Sequence, residues 1–386
     1  MNVAAVLFWI AAGLLAYTYV GYPLLAAARA RLGHRPTVKR PLTPSISVLV
    51  VAHNEAERIS RRVDNLLALD YPSELREIVI ASDGSSDATV ARAGAYRDRG
   101  VKVVAFERNR GKPAVLNELV PRLTGEIVVL MDVRQHIAPD ALHRLLENFA
   151  DPDVGAVSGE LMLSEHESGG EGLEGVGFYW RYEKFIRLRE SRIDSTVGAT
   201  GALYALRRAL FEPIPEETLL DDVLIPMHVV RQGYRVLFEP AARATEGLSP
   251  NPEAEFRRKV RTIAGNFQLL ASHPWLLDPK RNRIWFATLS HKACRLLGPL
   301  LLLAVLAANA FLLDSAFYVL ALLLQLGFYF LALLASRAPG LVERSPLFSV
   351  PHAFCLLNAA TVVGFYRFLR GQQQVTWSRP ENHGRA

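Results

Sequence analysis

Residues 45–55 read SISVLVVAHNE and residues 77–87 read EIVIASDGSSD. In each, a short apolar run rich in β-branched residues breaks abruptly into acids, amides and hydroxyls. The run Ile46–Ala52 is too short for an ordinary helix and too uniformly apolar for a strand with one wet face, so it reads as a strand buried on both sides. Residues 101–106, 126–131 and 154–157 repeat the plan. Helical patterns fill the gaps: residues 56–69 place Ile59, Val63, Leu66 and Leu67 on one face, and residues 141–149 follow the break at Pro139. Such alternation implies an α/β, Rossmann-like fold with a mostly parallel sheet. Ligands of open sheets bind beyond the carboxyl ends of the strands. Asn54 and Glu55, Asp83 to Asp87, Arg108 to Lys112, and Asp132 to Gln135 fall at four successive ends. Asn54 or Asp87 alone would pass for a helix cap. Four polar ends in a row indicate a nucleotide site.

The flanks have a different composition. Half of the 386 residues are apolar, and they gather at the two ends, while the net charge of +6 gathers beside them. Residues 3–28 suffice to cross a hydrocarbon core of about 30 Å as helix. Positive charge follows this run, at Arg29, Arg31, Arg35, Lys39 and Arg40, rather than preceding it. That order implies a retained anchor with the next domain on the cytosolic face of the plasma (inner) membrane. Residues 296–313 and 316–335 form two further candidate spans, separated by Asp314 and Ser315. Residues 348–369 form a weaker one, interrupted by Pro351, His352, Asn358 and Arg367, and the neighbouring arginines favour a cytosolic tail. Residues 281–295 read as an interfacial helix. The chain thus divides into an anchor and basic linker (1–44), a cytosolic domain (45–280) and a membrane-associated end (281–386). Two cysteines, Cys294 and Cys355, lack zinc or disulfide spacing, and no nucleic-acid recognition motif accompanies the basic charge.

Several motifs in order carry a resemblance: Ala52-His53-Asn54-Glu55, Asp83-Gly84-Ser85-Ser86-Asp87, Gly111-Lys112 with Asn117, Met131-Asp132, Thr200-Gly201-Ala202, and Leu220-Asp221-Asp222. Across residues 45–268 the chain resembles the membrane-integrated family two glycosyltransferases, such as the synthases of hyaluronan, chitin, cellulose and poly-N-acetylglucosamine. The resemblance implies a GT-A-type fold and inverting transfer from a nucleotide-diphosphate sugar, a UDP-sugar being the commoner donor. The acceptor is a growing envelope or extracellular glycan; transfer of one sugar to a lipid-linked acceptor and a non-catalytic synthase subunit are the alternatives. By position, Asp83 would contact the base with Glu55 and Asn54 nearby, Lys112 and Gly201 would lie at the donor, and Asp132 would hold Mg2+ or Mn2+ against the diphosphate. The family's second metal-site acid is Arg134 here. Asp222 matches the base that deprotonates the acceptor hydroxyl, with Asp221 where glutamate is usual. Capping of the following helix by Asp221 and Asp222 is the plain alternative.

Residues 257–262 stand where processive members carry Gln-Gln-x-Arg-Trp. Arg258 and Arg261 would bind diphosphate, and Thr262 replaces the acceptor-seating tryptophan. Trp377 in the tail resembles the gating-loop tryptophan of hyaluronan-type synthases. Phe178, Tyr179, Trp180 and Tyr182 read as packing aromatics or an acceptor platform. Membrane lipids and an export or synthase subunit complete the expected partners.

Overall fold

The computed structural model describes residues 2–164, 174–247, 252–338 and 340–376. It opens with α1 (Val3–Leu32), then β1 (Ile46–Ala52), α2 (Ala56–Leu67), β2 (Arg76–Asp83), α3 (Thr89–Gly94), β3 (Val101–Phe106), α4 (Lys112–Leu119), β4 (Ile127–Met131) and β5 (His136–Ile137). Next come α5 (Ala141–Leu146), β6 (Val154–Ser164), α6 (Glu174–Ile193), β7 (Tyr204–Arg207), α7 (Asp221–Arg231), β8 (Arg235–Gly247) and α8 (Pro252–Ser272). The chain continues through α9 (Trp285–Leu296) and α10 (Gly298–Asn309), then α11 (Ala316–Arg337), α12 (Gly340–Arg344) and α13 (Pro346–Leu369). Two compact units result. One comprises Pro36–Met162, Gly198–Glu246 and Gly371–Ala386; the other comprises Met1–Arg35, Leu163–Val197 and Gly247–Arg370.

The first unit is an eight-stranded sheet in the order β3-β2-β1-β4-β7-β6-β8-β5. β1 is buried along its whole length and pairs in parallel with both β2 and β4, as its apolar run requires. β2 pairs in parallel with β3. The parallel expectation holds for these four strands and ends there, because β7 runs antiparallel to both β4 and β6. Residues 154–157, read as a fifth parallel strand, begin the longer β6, which reaches β4 only through β7. With four residues, β7 is too short to stand out in a sequence. On α2, Ile59, Val63 and Leu66 are fully buried against the sheet. The carboxyl ends of β1, β2 and β4, together with the loop after β3, therefore share one edge.

The second unit is helical. α1, α11 and α13 are each long and apolar enough to cross a membrane; α9 and α10 pass that test only together and bend by 58° between them. The bend falls at Leu297, before Pro299, whose ring and missing N–H interrupt a helix. What reads in sequence as an interfacial helix followed by a span is thus one broken pair. Near the start of α1, Phe8 packs with Ala308 and Leu312, and Trp9 stacks on Phe317. On α13, a methyl group at Gly364 would lie 2.9 Å from Ile263 of α8, and Phe267 lies against Phe365 and Phe368.

Candidate active site

The site is built on two chain features, the loop after β4 and the first turn of α7. Asp132 follows the buried strand β4, and Asp221 and Asp222 open α7. Leu220 occupies the cap position, and neither aspartate caps the helix with its side chain. Instead Asp222 Oδ2 accepts a hydrogen bond from the Gly201 N–H at 3.0 Å. A side chain at Gly201 would meet Asp132 Oδ2 at 3.2 Å and Asp222 Oδ2 at 3.4 Å, so that glycine lets the backbone pass between the two carboxylates.

Lys112, the first residue of α4, completes the group. Its Nζ donates to Asp132 Oδ1 at 2.9 Å and lies 3.3 Å from Asp221 Oδ2. Burial disfavours the ammonium, but the charges of Asp132 and Asp221 outweigh it and hold Lys112 above its ordinary pKa. Asp222 is raised to about 6, first by burial and then by the like charge of Asp221. Lys112 and the Gly201 N–H pull the other way. One cation among three carboxylates leaves an excess of negative charge, which suits a further cation or a proton.

The loop presenting Lys112 is held from β2. Asp83 is fully buried, and its carboxylate accepts from the backbone N–H groups of Arg110 and Gly111, both at 2.8 Å. Asp83 therefore sets the course of the chain into Lys112. Gly84 has φ +62°, and a side chain there would fall 2.3 Å from the Asn109 nitrogen. Asn54, at φ 53°, accepts from Ser86 N–H, a local side-chain bond that eases its left-handed backbone. Glu55 pairs with Arg58 at 2.8 Å and with Arg134 at 3.4 Å, so Arg134 is tied to the end of β1. Asp87 accepts from Thr89 N–H and Ala56 N–H, the structural role its cap reading suggests.

The structure thus brings together Asp132, Lys112, Gly201, Asp221 and Asp222, and sets Asn54, Glu55, Asp83 and Arg134 on adjoining strand ends. Arg258, Arg261 and Thr262 are exposed on α8 of the helical unit, where the Thr262 hydroxyl bonds back to the Arg258 carbonyl. Trp377 and the side chains of Phe178 and Tyr179 lie outside the described residues. Trp180 lies beneath Lys259 and Tyr182 beneath Arg295, which suits the packing role. Sequence reading missed Arg62 and Tyr204. Arg62 is buried on α2 and donates to the Gln135 carbonyl, clamping the loop after Asp132; an arginine on a helix carries no signal of this. Among the described residues no three His, Cys, Asp or Glu side chains converge to cage a metal ion. The donor set fits a hard cation held by Asp132, whose Oδ1 faces Lys112, with substrate oxygens supplying the remaining ligands.

Residues 47–214 match the model of Glycosyl transferase family 2. Most of the matched residues lie in the sheet unit, whose mixed sheet is GT-A-like. Poly-β-1,6-N-acetyl-D-glucosamine synthases resemble the chain: that of Staphylococcus aureus is 26% identical over 250 residues, 63% of this chain and 59% of the relative. That of Staphylococcus epidermidis is 26% identical over 239 residues, covering 60% and 56%. The match thus spans less than two thirds of these relatives. Among solved structures, the mannosyltransferase PcManGT from Pyrobaculum calidifontis, in complex with GDP-mannose and Mn2+, superposes with TM-score 0.73. It is 25% identical, covering 95% of this chain and 99% of that one.

Proposed function

We propose that this protein is an inverting glycosyltransferase that moves sugar from a nucleotide-diphosphate donor onto a growing envelope polysaccharide, working at the cytosolic face of the plasma membrane. The convergence of Asp132, Asp221 and Asp222 around Lys112 carries the reading. Asp222 is the base. With its pKa near 6 it is ionised at neutral pH yet basic enough to accept the acceptor's hydroxyl proton as that oxygen attacks the anomeric carbon. The Gly201 N–H fixes one of its oxygens and so orients the other. Lys112 offers its ammonium to the diphosphate. Asp132 would hold Mg2+ or Mn2+, which when bound neutralises the leaving diphosphate. Asn54, Glu55, Asp83 and Arg134 border the nucleoside end. The solved mannosyltransferase was bound to GDP-mannose and Mn2+, so guanosine donors stand beside the UDP-sugars that the resemblance favours.

The test is a screen of UDP- and GDP-sugars with membranes containing the protein, with and without Mg2+ or Mn2+, scoring released diphosphate and product length. A polymer bearing donor-derived sugar is expected. A single sugar on a lipid would replace the polymer reading with lipid-linked transfer, and no transfer from any donor would overturn both.

A further inference from the structure

Tyr204 is fully buried on β7, and its hydroxyl has no hydrogen-bond partner among the described residues. It stands opposite Leu130 of β4, the strand that ends just before Asp132, and opposite Ser158 of β6. It also lies three residues beyond Gly201, whose N–H holds Asp222. Burial, followed by the negative charges of Asp221, Asp222 and Asp132, keeps the phenol protonated, so toward these carboxylates the hydroxyl is a donor. Asp221 Oδ2 is buried too, with the Lys112 ammonium 3.3 Å away as its ion partner and no hydrogen bond of its own. A buried hydroxyl donor thus lies unsatisfied in a charged cluster, where phenylalanine would fill the same space without the desolvation cost of the hydroxyl.

We infer that Tyr204 is a positioning residue for the transfer step, its hydroxyl donating to the Asp221–Asp222 carboxylates once Lys112 turns to the donor diphosphate. This rests on the proposed function above. In the donor-free arrangement the ammonium of Lys112 serves Asp132 and Asp221. The diphosphate competes for that cation, and the carboxylates then need another donor. Tyr204 supplies it without moving a proton, and so keeps Asp222 aimed while its other partners rearrange.

The test is Tyr204→Phe in the full-length protein, assayed with the nucleotide sugar on which the wild type is active, with UDP and GDP binding measured separately in Mn2+. Expected are an unfolding midpoint equal to or above the wild type, nucleotide Kd and donor KM within about twofold, and kcat reduced about tenfold or more. A kcat within about twofold of wild type overturns the inference. So does a loss of kcat accompanied by a lower midpoint and weaker nucleotide binding, because that pattern marks simple packing. Asp222→Asn run in parallel separates the two readings. Its retention of transfer sinks the base assignment itself, whereas its inactivity beside a fully active Tyr204→Phe sinks only the role of the tyrosine.

Discussion

As the proposed base, Asp222 would combine a catalytic requirement with a cost to the fold. A base titrating near 6 is protonated and idle below that pH, so transfer is expected to rise with pH through about 6 and level off above it. The stability sign is opposite. A carboxylate whose folded pKa is raised binds its proton more tightly in the folded state, so its contribution is present at low pH and lost as pH rises through about 6. Asp222→Asn is therefore expected to lower kcat by about 10²–10⁴-fold while raising the unfolding midpoint at pH 8; a lowered midpoint there would contradict the charge crowding described. Gly84 tests the loop. Alanine at its φ of +62°, against the Asn109 nitrogen, is expected to displace the 108–111 loop and weaken nucleotide binding more than tenfold, measured as Kd in Mn2+. The convergence of Asp132, Asp221 and Asp222 was legible because an acid directly after an apolar strand, or a paired acid at a helix start, has little structural purpose. Tyr204 was not, since a tyrosine within a strand is an ordinary β residue. Asp83 stood out as polar at a strand end, yet its carboxylate is taken up by the loop backbone, a partner that no residue pattern names.

Among the helices, a buried polar cluster joins α1, α6 and α9. His291 lies within 2.9 Å of both Glu190 and Glu183, one carboxylate on each ring nitrogen, and the Tyr22 hydroxyl donates to Glu190 at 2.6 Å. Arg295 pairs with Glu183. Both α1 and α9 carry a π-helical turn here, at Tyr17–Gly21 and Thr288–Ala293, and the Tyr17 and Ser290 hydroxyls meet at 2.7 Å. A wider turn re-aims side chains that a regular helix would point elsewhere. Glu183, Glu190 and His291 are all buried or nearly so, and removing one partner strands the others. His291→Ala is expected to cost about 3–5 kcal/mol, read as a lower unfolding midpoint in detergent; an unchanged midpoint would show that the cluster is not a tie between helices. The helices themselves could be read from apolar runs, and the first four strands from theirs. The π turns and the cluster could not, because the contacts join positions more than 100 residues apart and a local bulge leaves the hydrophobic pattern intact.

Over the whole molecule, counting crossings constrains the topology. The tail from Gly371 belongs to the same compact unit as the sheet, and a side chain at Gly111 would meet Val375 at 3.1 Å. On the proposed membrane placement, the sheet and residues 371–376 would share one side, which calls for an even number of crossings among the α9–α10 pair, α11 and α13. Packing within the helical unit indicates which two cross. Leu312, just past α10, packs with Phe8 near the start of α1, and Phe317 at the start of α11 stacks on Trp9; the turn between α10 and α11 therefore sits at the end of α1 remote from Arg29 and Arg31. On the proposed membrane placement, the broken pair would cross and α11 would return. The C-terminal half of α13 lies along α8, through Gly364 against Ile263 and Phe365 and Phe368 against Phe267, and α8 is a helix with Arg257, Arg258, Lys259 and Arg261 on one turn, suited to a headgroup surface. Length and hydropathy alone would admit α13 as a span; its packing along α8 and the parity argument favour an interfacial helix instead. In a variant with Cys294 and Cys355 replaced by alanine, Ser315→Cys is expected to react with a membrane-impermeant thiol reagent added to intact cells. Ser345→Cys and Thr376→Cys are expected to react only after permeabilisation, because neither follows an odd crossing from the sheet. Labelling of Thr376→Cys from outside would make α13 a full span and separate the tail from the sheet.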